Sequence, residues 1–272
     1  MRVIILLFFF SILVEAYLET GELLEKAKEV ATGQLSYRYD DDILIVDWTV
    51  PGSSEKVLLV FNEHARERVT GELGLRVIQS LKDWSPTVSV TVVPVLNVWG
   101  RKRVEAGSKC QRKNENGVDT NRNFWVHNHH YRKGSEEYGG KQPISEKESK
   151  LIAKELIDTT RYVNVHSGEF SLYMPYDASY EEAPGAAHQY EQITKWSVHC
   201  PKCAIGSAAK VSSYKAYGTS ADWAIRMGVP ESYTFEIYGS SSRNCEEMFN
   251  PSRKDLEYVL DPWLFIMKDV CS

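Results

Sequence analysis

The apolar run Val57-Leu58-Leu59-Val60-Phe61 passes almost directly into His64-Ala65-Arg66-Glu67, after which Val69, Leu73, Val77 and Leu81 recur every four residues. The unbroken run reads as a buried strand, and the recurrence as a helix over Glu67 to Leu81. A strand that hands over at once to a helix points to an α/β fold, in which sites gather at the carboxyl ends of strands. A His and a Glu three residues apart at such an end can face one point. Zinc accepts imidazole nitrogen and carboxylate oxygen at about 2.0–2.2 Å, and a hydrolytic zinc needs three protein ligands plus an open position.

The rest of the chain continues the alternation. Leu23 to Ala31 reads as a short helix, and Leu35 to Tyr39 and Ile43 to Val50 as strands joined by a hairpin turn at Asp40-Asp41-Asp42. Val88 to Leu96 is a further strand, whereas Asn97 to Tyr138 lacks periodicity and reads as a long functional loop. Ser145-Glu146-Lys147-Glu148 has the form of a capping box for a helix to about Ile157. Tyr162 to Val165 is a strand ending at His166, Ala186 to Val198 a helix, Asp222 to Arg226 a helical turn and Tyr233 to Ile237 a strand. Pro251 to about Val270 closes the chain as a helix containing Pro262. The expectation is a single-domain α/β fold with a mixed, twisted sheet flanked by helices.

Composition limits what such a domain does. With 272 residues, 43% of them hydrophobic, one large core is affordable, and a net charge of −5 with mixed signs gives no basis for a nucleic-acid partner. Arg2 followed by Val3 to Val14 and then Glu15-Ala16 has the layout of a secretory signal peptide, too short to span a bilayer. Residues 1–16 are therefore expected to be removed, leaving 17–272 as a domain free of the membrane, secreted or held in a lysosomal or vacuolar lumen. Cys110, Cys200, Cys203, Cys245 and Cys271 are an odd set, so some are expected to pair and at least one to remain over. Cys200-Pro201-Lys202-Cys203 reads as a staple rather than a redox centre. His127, His129 and His130 read as an exposed polar loop.

His166 ends its strand as His64 does, and is the natural third ligand. Together with Arg112-Lys113, Gly117-Val118-Asp119-Thr120-Asn121-Arg122-Asn123-Phe124, Tyr214, Gly218-Thr219-Ser220-Ala221-Asp222-Trp223 and Thr234-Phe235-Glu236, the chain resembles the zinc metallocarboxypeptidases of the carboxypeptidase A/B type. The motifs stand in the family's order over roughly residues 57 to 240.

The resemblance implies one zinc per chain, held by His64, Glu67 and His166, with Glu236 as general base and Arg112 stabilising the oxyanion. It implies that Asn121 and Arg122 grip the free carboxylate of a peptide or protein C-terminus, which suits the planar fork of arginine. Tyr214 would close over the substrate, Arg66 would make a secondary carboxylate contact, and Asp119 would orient a zinc histidine. Arg101 and Arg103 compete with Arg112 for the oxyanion role. At the side-chain pocket, the small neutral Ala221 leads to an expected preference for apolar or aromatic C-terminal residues, with a Lys or Arg preference through the acid at Asp177 as the alternative. The roughly forty residues before the first core strand read as part of the domain, so no separate pro-domain is expected, and the enzyme is expected to be monomeric. Two further readings stay open: an N-acyl amino acid amidohydrolase of the aspartoacylase type, and a binding module that has lost catalysis.

Overall fold

The structure is a computed structural model that describes residues 17–126 and 129–272. The proposed signal peptide, residues 1–16, and His127 lie outside the described residues. Chain order is α1 (Thr20–Glu29), β1 (Leu35–Asp40), β2 (Ile43–Trp48), β3 (Lys56–Phe61), α2 (Arg68–Trp84), β4 (Ser89–Val93), α3 (Val98–Glu105), α4 (Lys147–Glu155), β5 (Arg161–His166), β6 (Phe170–Met174), α5 (Ala186–Trp196), β7 (Ala204–Ser207), α6 (Ala208–Ser212), α7 (Ser220–Arg226), β8 (Glu231–Ile237), α8 (Cys245–Phe249) and α9 (Leu256–Val270).

One eight-stranded sheet runs in the order β1-β2-β4-β3-β5-β8-β6-β7. β4, β3, β5 and β8 are mutually parallel, while β2 and β6 flank them antiparallel. The chain leaves β3 for β4 on one side and returns to β5 on the other, so β3 and β5 diverge at a topological switch point. Open α/β sheets bind ligands in the crevice at the carboxyl ends of such strands. Register then aligns the functional residues, because Phe61 pairs with Val165 and His166 pairs with Glu236.

Strand alternation assigns the two faces. Tyr162 and Asn164 of β5 bond to Ser220 of α7 on one face. On the other, Tyr233 and Phe235 of β8 pack against Trp196 of α5, and Phe235 also against Trp263 of α9. Helices therefore cover both faces, as the apolar runs in β2 and β3 require. The hairpin turn falls where expected, with Asp41 in the left-handed region at φ 56°.

Three elements differ from expectation. The stretch read as loop contains α3, whose Arg101 is fully buried against Glu72, Asn62 and two backbone carbonyls. A charged side chain thus points inward, which hides the helical period. The capping box does not form: α4 starts at Lys147, and Glu146 at the cap instead accepts amides from Asn114 and Asn116. β6 and β7, not read as strands from the sequence, are short; β7 is the sheet edge and β6 lies between β8 and β7. Cys110 pairs with Cys245, Cys200 with Cys203, and Cys271 is free and buried. No helix among the described residues is long and apolar enough to cross a membrane.

Candidate metal centre and active site

His64 does not continue β3. Asn62 takes φ 52° and turns the chain, and its side-chain amide donates to the carbonyls of His64 and Glu67, bracing the bend. Glu67 stands immediately before α2, and His166 is the last residue of β5. Their ligand atoms meet. His64 Nδ1 lies 2.9 Å from Glu67 Oε1, His166 Nδ1 lies 3.0 Å from His64 Nδ1, and His166 Nδ1 lies 3.1 Å from Glu67 Oε2. All three residues are buried. Two ring nitrogens and a carboxylate crowded this way place lone pairs face to face, and a cation between them relieves that. The donor set fits zinc, for which ligand atoms at about 2.0–2.2 Å span edges of this order.

The surrounding charges are arranged around the same point. Asp119 is fully buried, accepts from Arg112 Nε and Nη2 at 2.9 and 2.8 Å, and lies 3.2 Å from His64 Nε2. Burial opposes its ionisation, but Arg112 and His64 hold it well below the usual carboxylate range. It stands beside the His64 ring nitrogen that faces away from Glu67. Arg112 reaches to 3.3 Å of His64 Nδ1 and lines the cavity. Of its competitors, Arg101 is buried elsewhere, and Arg103 lies exposed over the Trp99 ring.

Glu236 lines the cavity beside His166, and its Oε2 is buried without a hydrogen-bond partner. Burial pushes its carboxyl up to about 8, with Glu67 and Glu169 adding to the rise and His166 and Arg112 opposing it. A buried oxygen with nothing to bond is what a site awaiting a ligand presents.

A cavity of about 280 Å³ joins this centre to Asn121, Arg122, Asp177 and Tyr214. Asn121 and Arg122 come from a 3-10 turn, Thr120–Arg122, capped by the Asp119 side chain. Asn121 Oδ1 accepts from Ser220 N–H at 2.9 Å, and Arg122 Nη1 donates to Asn121 O at 2.9 Å. Burial alone would lower the Arg122 pKa, but Asp119 and the phenols of Tyr131 and Tyr214 hold it above its ordinary value. Its Nη2 lies 3.4 Å from Glu137 Oε1, and the same oxygen accepts the Tyr214 hydroxyl. Tyr131 Oη lies 3.3 Å from Tyr214 Oη.

Two expected residues stand apart from the cavity. Arg66 bonds Glu136 at 3.2 Å and lies over the Phe249 ring at 4.3 Å, off the cavity wall. Ala221 is 1% exposed and is not part of the lining, so it forms no direct floor for a substrate side chain; its carbonyl accepts from Ser232. The acid at Asp177 does line the cavity. Its carboxyl is raised to about 7, first by burial and then by Asp222. Glu63, Glu137, Glu169 and Phe249 were not read from sequence. Glu63 offered a signal, being an acid inside an otherwise apolar approach to His64.

A model described as zinc carboxypeptidase matches residues 49–261. The chain belongs to that family. Among curated relatives, human carboxypeptidase B is 31% identical over 203 residues, covering 62% of this chain and 48% of that protein. Human carboxypeptidase O is 27% identical over 264 residues, covering 84% of this chain and 70% of that protein. The match to carboxypeptidase B therefore spans about half of that relative's length. Among solved structures, bovine thrombin-activatable fibrinolysis inhibitor in complex with tick carboxypeptidase inhibitor superposes with a TM-score of 0.80 at 20% identity, covering 95% of this chain and 97% of that one. Carboxypeptidase A from Helicoverpa armigera gives 0.77 at 21%, covering 91% and 70%. At these identities the superpositions establish the shared fold. Every residue of the candidate site described above falls within the matched span.

Proposed function

We propose that this zinc carboxypeptidase removes single residues from the C-termini of peptides, with one zinc per chain. The carrying observation is that His64, Glu67 and His166 converge within one buried cluster, and that cluster opens into the same cavity as Arg122. Bound there, zinc supplies Lewis acidity, polarising a carbonyl oxygen and lowering the pKa of water toward about 7.

The chain's own groups supply the rest. Arg122 and Asn121 hold the terminal carboxylate, which only a chain end offers, and so select exopeptidase geometry. Glu236, buried beside His166 on the cavity wall, takes in its ionised form, which a cation at the cluster would favour, a proton from the attacking water and returns it to the leaving amine. Arg112 faces the oxygen that becomes negative, where one such donor contributes about 3–4 kcal/mol. Tyr214 stands at the mouth to cover the bound end.

For the C-terminal side chain, Asp177 on the cavity wall, from which Ala221 is withdrawn, favours Lys or Arg over apolar residues. Blocked dipeptides ending in Arg, Lys, Phe, Leu and Glu test this, and faster cleavage of the Phe or Leu substrates would restore the apolar reading. An aspartoacylase-type reaction is disfavoured by Tyr214 and Asp177, which line a cavity with room for a residue side chain. Residues 1–16 are proposed as a signal peptide and 17–272 as a monomeric domain in a secretory compartment, a reading supported by the two disulfides. The test of the main reading is metal content with mass-spectrometric detection of residue release. Zinc at one per chain with stepwise C-terminal loss is expected, and peptide left intact by the zinc-loaded protein would refute it.

A further inference from the structure

We propose that Glu63 is a positioning residue for the metal centre, its carboxylate facing the Nε2–H of His166 as an ion-pair partner so that Nδ1 turns its lone pair toward zinc. Glu63 has this role only if His64, Glu67 and His166 hold zinc as proposed above.

Glu63 is fully buried and stands one residue before His64. Its Oε1 accepts from the Thr120 hydroxyl at 2.9 Å and its Oε2 from Asn164 Nδ2 at 2.6 Å. Both oxygens thus serve as acceptors. Oε2 also lies 3.7 Å from His166 Nε2, within ion-pair range. The other group facing that nitrogen is Asn121 Nδ2, at 3.4 Å. Asn121 commits its Oδ1 to the Ser220 N–H and hydroxyl, at 2.9 and 3.2 Å, so it turns its donor side to His166 and cannot accept a proton. With His166 Nδ1 in the ligand cluster, Nε2 carries the hydrogen, and the Glu63 carboxylate, at ion-pair distance, is the negative group that faces it.

The other histidine has the same architecture. His64 also turns Nδ1 inward, and Asp119 stands 3.2 Å from its Nε2. Asp119 has Arg112 to balance its charge; among the described residues, no lysine or arginine lies within ion-pair distance of Glu63. A buried carboxylate without a cation is costly, and a cation at the His64–Glu67–His166 cluster, reached through His166, offsets that cost. Glu63 is therefore coupled to metal occupancy, and the loss of such an outer partner lowers metal affinity about 10–100-fold.

The test is Glu63→Gln in the full chain, read by zinc competition against a chelator and by proton NMR of the histidine ring N–H groups in the zinc-loaded protein. The zinc dissociation constant is expected to rise about 10–100-fold, with the His166 Nε2–H resonance displaced and that of His64 in place. Unchanged affinity and an unmoved His166 resonance, with only the melting temperature of the metal-free protein lowered, would reduce Glu63 to a structural brace. Should Glu63→Gln not fold, Glu63→Asp keeps the charge but shortens its reach, and the same two readouts apply in the same directions. Failure of the wild-type chain to take up zinc would instead remove the metal reading itself.

Discussion

The metal half of the cavity and its carboxylate-binding half are built from different parts of the chain. His64, Glu67, His166 and Glu236 sit at or just beyond the ends of three adjacent parallel strands and are set by sheet register. Arg112 and Arg122 come from the long stretch after α3, and Tyr214 from the short segment after α6. The metal ligands are buried to within a few per cent, whereas Tyr214 is 46% exposed. The proposed clamp is also engaged by one of the protein's own acids, Glu137, on Arg122 and Tyr214. In the proposed reaction, chemistry rests on strand ends and recognition on chain that exchanges an internal carboxylate for the substrate's.

That contrast can be broken at either end. The largest effect is expected in the metal half: Glu236→Gln retains zinc and lowers kcat by about 10²–10⁴-fold, the range for a lost general base. Near wild-type turnover in that variant would mean that another group moves the proton. Next comes Arg122→Gln, expected to cost about 10²-fold in kcat/KM, comparable to one lost preorganised donor. The loss should fall on peptides with a free C-terminus while zinc content stays intact, and a loss of zinc would join the two halves after all.

Asp177 gives a smaller, pH-dependent effect. Its carboxyl is raised to about 7, so it is neutral below that pH and charged above it. The ratio of Arg to Phe cleavage should climb between about pH 6 and 8, and Asp177→Asn should flatten the climb. The sign for stability is opposite to that of a paired acid. Because burial raises the folded pKa above the ordinary 3.8, ionised Asp177 destabilises the fold at pH 8 but not at pH 4. Asp177→Asn should therefore raise the melting temperature at pH 8 only. The smallest effect belongs to Glu137→Gln, which frees the clamp: KM should fall a few-fold with kcat unchanged, in keeping with the weak coupling of a part-exposed ion pair. A higher KM would show that Glu137 holds Tyr214 in place for the substrate.

The same contrast governs what the sequence disclosed. The strand ends were legible because an apolar run followed by His or Glu is a local pattern, and the order of elements followed from it, whereas the proposed ligand set and base were completed by the family resemblance. Asn121 and Arg122 were legible through the family resemblance. The neighbours across space were not. Glu137 reaches Arg122 only because the loop after the 3-10 turn folds back, and Glu63 matters through His166, which lies 103 positions later in sequence. Ala221 and Asp177 show the limit most clearly, since which of them faces the cavity depends on the packing of α7 against β5 and β8. The helix α3 was hidden for a related reason: its buried arginine is paid for by Glu72 in α2, a partner no local pattern reveals.

The most direct test of the central claim follows a peptide of known sequence by mass spectrometry with the purified chain, before and after chelation and again after zinc is restored. Loss of one residue at a time from the C-terminus, abolished by chelator and recovered with zinc, is the predicted result. Internal cuts, or release that persists in the metal-free protein, would contradict it.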